Sequence, residues 1–146
     1  MIERDYLMRL LLNLAQGIMR TIQADRSGGT KRDSAEMLEM AIGEAVDFDG
    51  ETFLALAPDS IAQILQISGT DARASRFIAN SLYLASVYRA EAGDEELARI
   101  RREQAYAVAE QFGHEIDALS VTDEEKAVQS VADEAQAFID AHHDDA

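Results

Sequence analysis

The sequence predicts an all-α chain of antiparallel helical hairpins packed as a bundle. Three observations carry that expectation. Apolar residues recur at spacings of three and four along most of the chain. No stretch shows the sustained period-two alternation, rich in Val, Ile and Thr, that marks a strand. The breaks between periodic stretches are short, which implies that successive helices lie antiparallel. With 146 residues, 47% of them hydrophobic and 28% charged, the chain can bury a core of its own and is not expected to be disordered. One helical domain is expected over residues 1–141, followed by an acidic tail at 142–146.

A first helix is expected from about Ile2 to Ala24. Tyr6, Leu7, Leu10, Leu11, Leu14, Ile18 and Ile22 form its stripe, and Met8, Leu12, Ala15 and Met19 widen it nearly all round. A helix so broadly apolar belongs in the middle of a bundle or in an interface between copies. Ser27-Gly28-Gly29-Thr30 breaks it. Asp33 with Glu36 reads as a capping box for a second helix, which carries Leu38, Ala41, Ile42 and Ala45 to about Val46. Asp47-Phe48-Asp49-Gly50 stops that helix. A short helical piece then holds Phe53, Leu54 and Leu56. Pro58 suits the first turn of a fourth helix, where its missing N–H is not needed; Ile61, Ile64 and Leu65 follow, and the helix ends near Ser68-Gly69.

Thr70 or Asp71 can cap a fifth helix running to about Ala92, with Phe77, Ile78, Leu82, Ala85 and Tyr88 on its apolar side. Gly93-Asp94 links it to a sixth, which carries Leu97, Ile100, Ala105, Val108 and Phe112 and for which Gly113 is a fitting C-terminal cap. Ile116, Leu119 and Val121 anchor a connector. Thr122 with Glu125 reads as another capping box, opening a last helix with Val128, Val131, Ala132, Ala135, Phe138 and Ile139 inward.

Thirteen Lys and Arg against 28 Asp and Glu give a net charge of −15. Such a balance argues against binding nucleic acid, which needs cations to displace phosphate counterions, and against docking on an anionic membrane. The charge is uneven: residues 33–70 hold eight acids and no Lys or Arg. Either the segments neutralise one another in the fold, or an acidic face awaits a cationic partner. The opening residues lack the cationic start and unbroken apolar run of a signal peptide, so a cytoplasmic location is expected. No Cys is present, which removes disulfides, thiolate metal sites and a cysteine nucleophile.

Residues 81–112 read as a helical hairpin of repeat type. Leu84, Ala85 and Tyr88 on its first helix, with Ala98 and Ala105 on its second, resemble the large–small–Tyr and small–small spacing of a tetratricopeptide repeat. The turn at Gly93-Asp94 is about one residue longer than that pattern, and no Pro follows the second helix. The opening Met1-Ile2-Glu3-Arg4-Asp5-Tyr6-Leu7-Met8-Arg9 resembles an uncharacterised family of short bacterial all-helical proteins. Leu38-Glu39-Met40-Ala41 and Leu54-Ala55-Leu56-Ala57-Pro58 also fit it, with Ala57 where that family's pattern has Ser. The resemblance implies a tetratricopeptide-like helical fold, supplies no catalytic residues and implies no known activity.

Sites for chemistry are scarce. Asp47-Phe48-Asp49-Gly50-Glu51 lacks EF-hand spacing, because Gly falls at the fourth loop position and Pro58 at the twelfth. Ser27-Gly28-Gly29-Thr30-Lys31 is shorter than a phosphate loop and follows a helix rather than a strand. His114, His142 and His143 are the only histidines; His114 is expected at the surface near a helix end, and the other two in the tail. No Glu-x-x-His pair or Gly-x-Ser-x-Gly string occurs. No enzymatic activity and no cofactor or metal are expected. An enzyme would need Asp47, Asp49 and His114 to converge in a pocket.

One polar stripe stands out. Arg73, Arg76, Asn80 and Tyr83 share a face of the fifth helix, and Arg89 continues it. Arg, Asn and Tyr together can grip a carboxylate or a peptide backbone, or can pair with the chain's own acids. The leading expectation is a protein-interaction module docking a protein or peptide partner on that helix or on the first helix. A homodimer through the first helix is the alternative.

Overall fold

A computed structural model describes residues 4–46, 49–70, 72–114 and 124–142. Among them are seven helices and no strand: α1 (Arg4–Arg26), α2 (Lys31–Ala45), α3 (Gly50–Leu54), α4 (Pro58–Ile67), α5 (Ala72–Glu91), α6 (Glu95–Gln111) and α7 (Glu124–His142). The chain is all-α. Among the described residues no helix is long and apolar enough to cross a membrane.

α1 packs against α2 and α7, α5 packs against α6, α2 and α7, and α4 lies on α6. Leu11, Leu14, Ile18, Leu38, Ile42, Phe53, Ile61, Ile78, Leu82 and Leu84 are fully buried between them and belong to one core. The wide apolar belt of α1 is therefore used inside the chain. Leu10, Leu11, Leu12, Leu14, Ala15, Ile18 and Ile22 are buried, and Met8 and Met19 pack partly buried on the same core.

Several helix ends differ from expectation. α1 runs two residues past Ala24, to Arg26. The cap of α2 is Thr30, not Asp33: the Thr30 hydroxyl accepts the Asp33 N–H at 3.1 Å, so the helix begins at Lys31. Asp25 ties this turn together, accepting from Lys31 Nζ at 2.8 Å and from Ser34 Oγ at 2.9 Å. Asp49 does not merely stop α2; its carboxylate caps α3 through the Thr52 N–H. His142 is the last residue of α7 rather than part of a tail, with Nδ1 2.9 Å from the Phe138 carbonyl. Pro58 opens α4, and Gly113 follows α6 with a φ of +72°, as a left-handed helix stop requires. Asp47, Asp71, the anchors Ile116, Leu119 and Val121, Thr122, and residues 143–146 lie outside the described residues.

α2 and α3 meet backbone to backbone at two glycines. A Cβ added to Gly43 would sit 2.4 Å from the Gly50 Cα. Helix propensity alone would favour Gly43→Ala by up to about 1 kcal/mol. The clash with backbone reverses the sign, since overpacking costs about 1–3 kcal/mol. We expect Gly43→Ala to lower the urea midpoint of unfolding; an unchanged or raised midpoint would show that the two helices do not meet there.

Candidate functional site

The inward stripe of α2 carries an acid. Ala35, Leu38 and Ile42 are fully buried, and Glu39 shares their face yet is itself only 8% exposed. A buried carboxylate needs partners, and two helices supply them. From α5, Arg89 donates Nη2–H to Glu39 Oε1 at 2.7 Å and Nε–H to Oε2 at 3.0 Å. From α6, Arg101 donates Nε–H to Oε2 at 2.8 Å. Burial alone would raise the Glu39 pKa, but the bonds and charges of Arg89 and Arg101 outweigh it and hold the carboxyl below its ordinary value. The same Glu39 bonds raise Arg89 above the ordinary guanidinium value, so it stays charged at any working pH.

The network reaches outward from this carboxylate. Arg89 Nη1 donates to Asp94 at 3.0 Å, and Arg32 of α2 donates to the other Asp94 oxygen at 3.2 Å. Both guanidiniums hold the Asp94 carboxyl below its usual range. That engagement explains why Asp94, at the start of α6, makes no side-chain cap. Inward, Arg101 Nη1 and Gln104 Nε2 both donate to the Leu54 carbonyl at 2.9 Å, and Gln104 also donates to the Leu56 carbonyl at 3.0 Å. These are carbonyls at the end of α3 that the helix cannot satisfy itself.

Above the network lies a groove of about 880 Å³ between α2, α3 and α6. Met40, Leu97, Ile100 and Leu54 give it apolar walls, and Met40 is 67% exposed. Glu36, Glu44, Asp49 and Glu51 line it as exposed carboxylates. Its two guanidiniums, Arg89 and Arg101, are already bonded to Glu39. Two walls of the groove come from the segment 33–70, which carries no Lys or Arg.

The five residues of the polar stripe do not form one site. Arg73 and Arg76 are exposed and line a second cavity with His114. Asn80, one turn further on, is 2% exposed and donates Nδ2–H to Glu134 of α7 at 3.0 Å. Tyr83 is half-buried; burial, with Tyr106 nearby, pushes its phenol pKa up. Arg89 stands sixteen residues beyond Arg73, roughly 24 Å along the helix, inside the Glu39 network. Asn80 and Arg89 thus pair with the chain's own acids. His114 follows the end of α6 half-buried; its Nε2 is 2.9 Å from Ser75 Oγ, and its ring stacks on Phe112. Asp49 and His114 line different cavities. Among the described residues no three His, Asp or Glu side chains group as metal ligands.

Sequence reasoning missed Glu39, Arg101 and Gln104. The available signal was charge or amide at an inward position: Glu39 lies four residues after Ala35 and three before Ile42, and Arg101 lies three after Ala98 and four before Ala105. No family model, curated protein or solved structure matches the chain.

Removing the Glu39 charge leaves two guanidiniums buried against each other. We expect Glu39→Gln to cost roughly 2–4 kcal/mol of folding stability in urea denaturation at neutral pH. An effect below about 0.5 kcal/mol, the level of a surface substitution, would show that the carboxylate is not buried between the arginines.

Proposed function

We propose that this is a tetratricopeptide-like, non-enzymatic interaction module of the cytoplasm that docks a basic, partly apolar segment of another protein in the α2–α3–α6 groove. One observation carries the reading: an open apolar groove is edged by carboxylates, and its own cations are consumed by Glu39. Apolar walls give a partner area to bury, and Met40 gives them a surface that adapts to its shape. The carboxylates steer a cationic segment into place and discourage an acidic one.

The scaffold fits the same use. α5 and α6 pack together, and Leu84, Ala85, Tyr88, Ala98 and Ala105 are buried, the positions whose spacing resembles a tetratricopeptide unit. The ionisable groups with shifted values are explained by their own ion pairs or burial, and none of them is paired with a nucleophile.

The test is binding of a short labelled helical peptide with Leu on one face and Lys on the other, followed by fluorescence anisotropy. The Lys peptide is expected to bind and to weaken as salt rises, while a Glu-for-Lys version does not bind. Ile100→Asp separates groove docking from mere attraction between opposite charges. It adds negative charge but spoils the apolar wall, so affinity should fall by roughly tenfold or more. Stronger or unchanged binding to Ile100→Asp, or equal binding of both peptides, would contradict the proposal.

A further inference from the structure

All the sulfur in this chain is thioether. The sequence holds five Met, with no Cys and no Trp. A mild two-electron oxidant such as a peroxide therefore meets methionine and no thiol that would react before it. Exposure ranks the methionines. Met8 and Met19 of α1 pack partly buried on the core. Met37 of α2 is 41% exposed, and Met40, one turn further on, is 67% exposed. Met40 is the most exposed methionine among the described residues.

Met40 is also the methionine of the groove. It is the one apolar side chain that α2 gives to the lining, while Leu97 and Ile100 come from α6. Met37 is not part of that lining. Glu36 and Glu44 stand one turn before and one turn after Met40 on α2 and line the groove with it.

We propose that the Met40 thioether is a redox-sensitive modification site that controls docking in the α2–α3–α6 groove, a control that rests on the docking role proposed above. The oxidant is a peroxide. The sulfur lone pair attacks one peroxide oxygen, and an S–O bond forms as the O–O bond breaks. The other oxygen leaves as hydroxide and takes the proton from the transferred oxygen to become water. The sulfur has lost two electrons and is a sulfoxide. That group puts a strong hydrogen-bond acceptor on an apolar wall, where covering it without a donor costs free energy. No formal charge changes, so Glu36 and Glu44 still attract a cationic segment while its apolar side loses contact. Met40 takes no part in the buried core, so the fold survives the change. A dithiol-dependent sulfoxide reductase reverses the step: the oxygen leaves as water and the dithiol becomes a disulfide.

The experiment treats the full chain with limiting hydrogen peroxide. Mass spectrometry of peptides follows each methionine, and anisotropy follows binding of the Leu/Lys peptide before and after treatment. Met40 is expected to gain oxygen before Met8 and Met19. Affinity should then fall by roughly fivefold or more, with the urea midpoint unchanged. Treatment with a methionine sulfoxide reductase and a dithiol should restore it. Each variant is compared with itself: treated Met40→Leu should keep its untreated affinity, and treated Met37→Leu should show the full loss. An untreated chain that does not bind the peptide removes the docking role and this control with it. An untreated chain that binds, and binds equally well with Met40 oxidised, removes the control alone. Met40 oxidising no faster than Met8 and Met19, an equal loss in treated Met40→Leu, or a loss accompanied by a lowered urea midpoint would also overturn the proposal.

Discussion

A single carboxylate fixes how three helices meet. Glu39 enters the interior on α2 and takes three N–H bonds, two from Arg89 of α5 and one from Arg101 of α6. Burying charge is costly, and a well-packed apolar trio of the same volume would be as stable or more so. The bonds are directional where apolar contacts are not. They place α2 at one register against the α5–α6 hairpin, because a shift by one turn would leave ions buried without partners. Arg101 and Gln104 extend the constraint to α3 through the Leu54 carbonyl. The close approach of Gly43 and Gly50 closes the same corner from the other side.

The groove is a consequence of that corner. α2 and α3 are held beside α6, with Met40, Leu97 and Ile100 left on the open side. Strong pKa perturbation often marks catalytic sites. Here the perturbed groups Glu39, Arg89 and Asp94 satisfy one another. The two cavities have different linings: one is edged by acids from a segment without cations, the other includes Arg73, Arg76, Glu134, Phe77 and Phe138.

The fold class was plain in the sequence, because helical periodicity needs only local spacing. Leu11, Leu14, Ile18, Leu38, Ile42 and Leu82 stand where their stripes put them. Helix starts were less legible. Thr30 and Asp33 are both good caps three residues apart, and the choice depends on the turn from α1, where Asp25 reaches Lys31 and Ser34. The polar stripe on α5 was legible as a stripe but not as a site. Spacing shows which residues share a face, not which neighbours that face meets along the helix. Its ends reach different surroundings, Arg73 a cavity and Arg89 a buried acid. The Glu39 network joins residues 50 and 62 positions apart, a pairing that no local pattern encodes.

The most direct measurement is the titration of the Glu39 carboxyl carbon by NMR in the intact chain. Its folded pKa is held below the ordinary glutamate value by the arginines, so its stabilising contribution is present above the unfolded carboxylate range and is lost as pH falls through the folded value. Glu39 should therefore remain ionised below the ordinary glutamate range, and its own protonation should coincide with loss of the packed structure. A Glu39 that titrates at or above the ordinary glutamate value while the fold persists would contradict the buried bridge on which the groove rests.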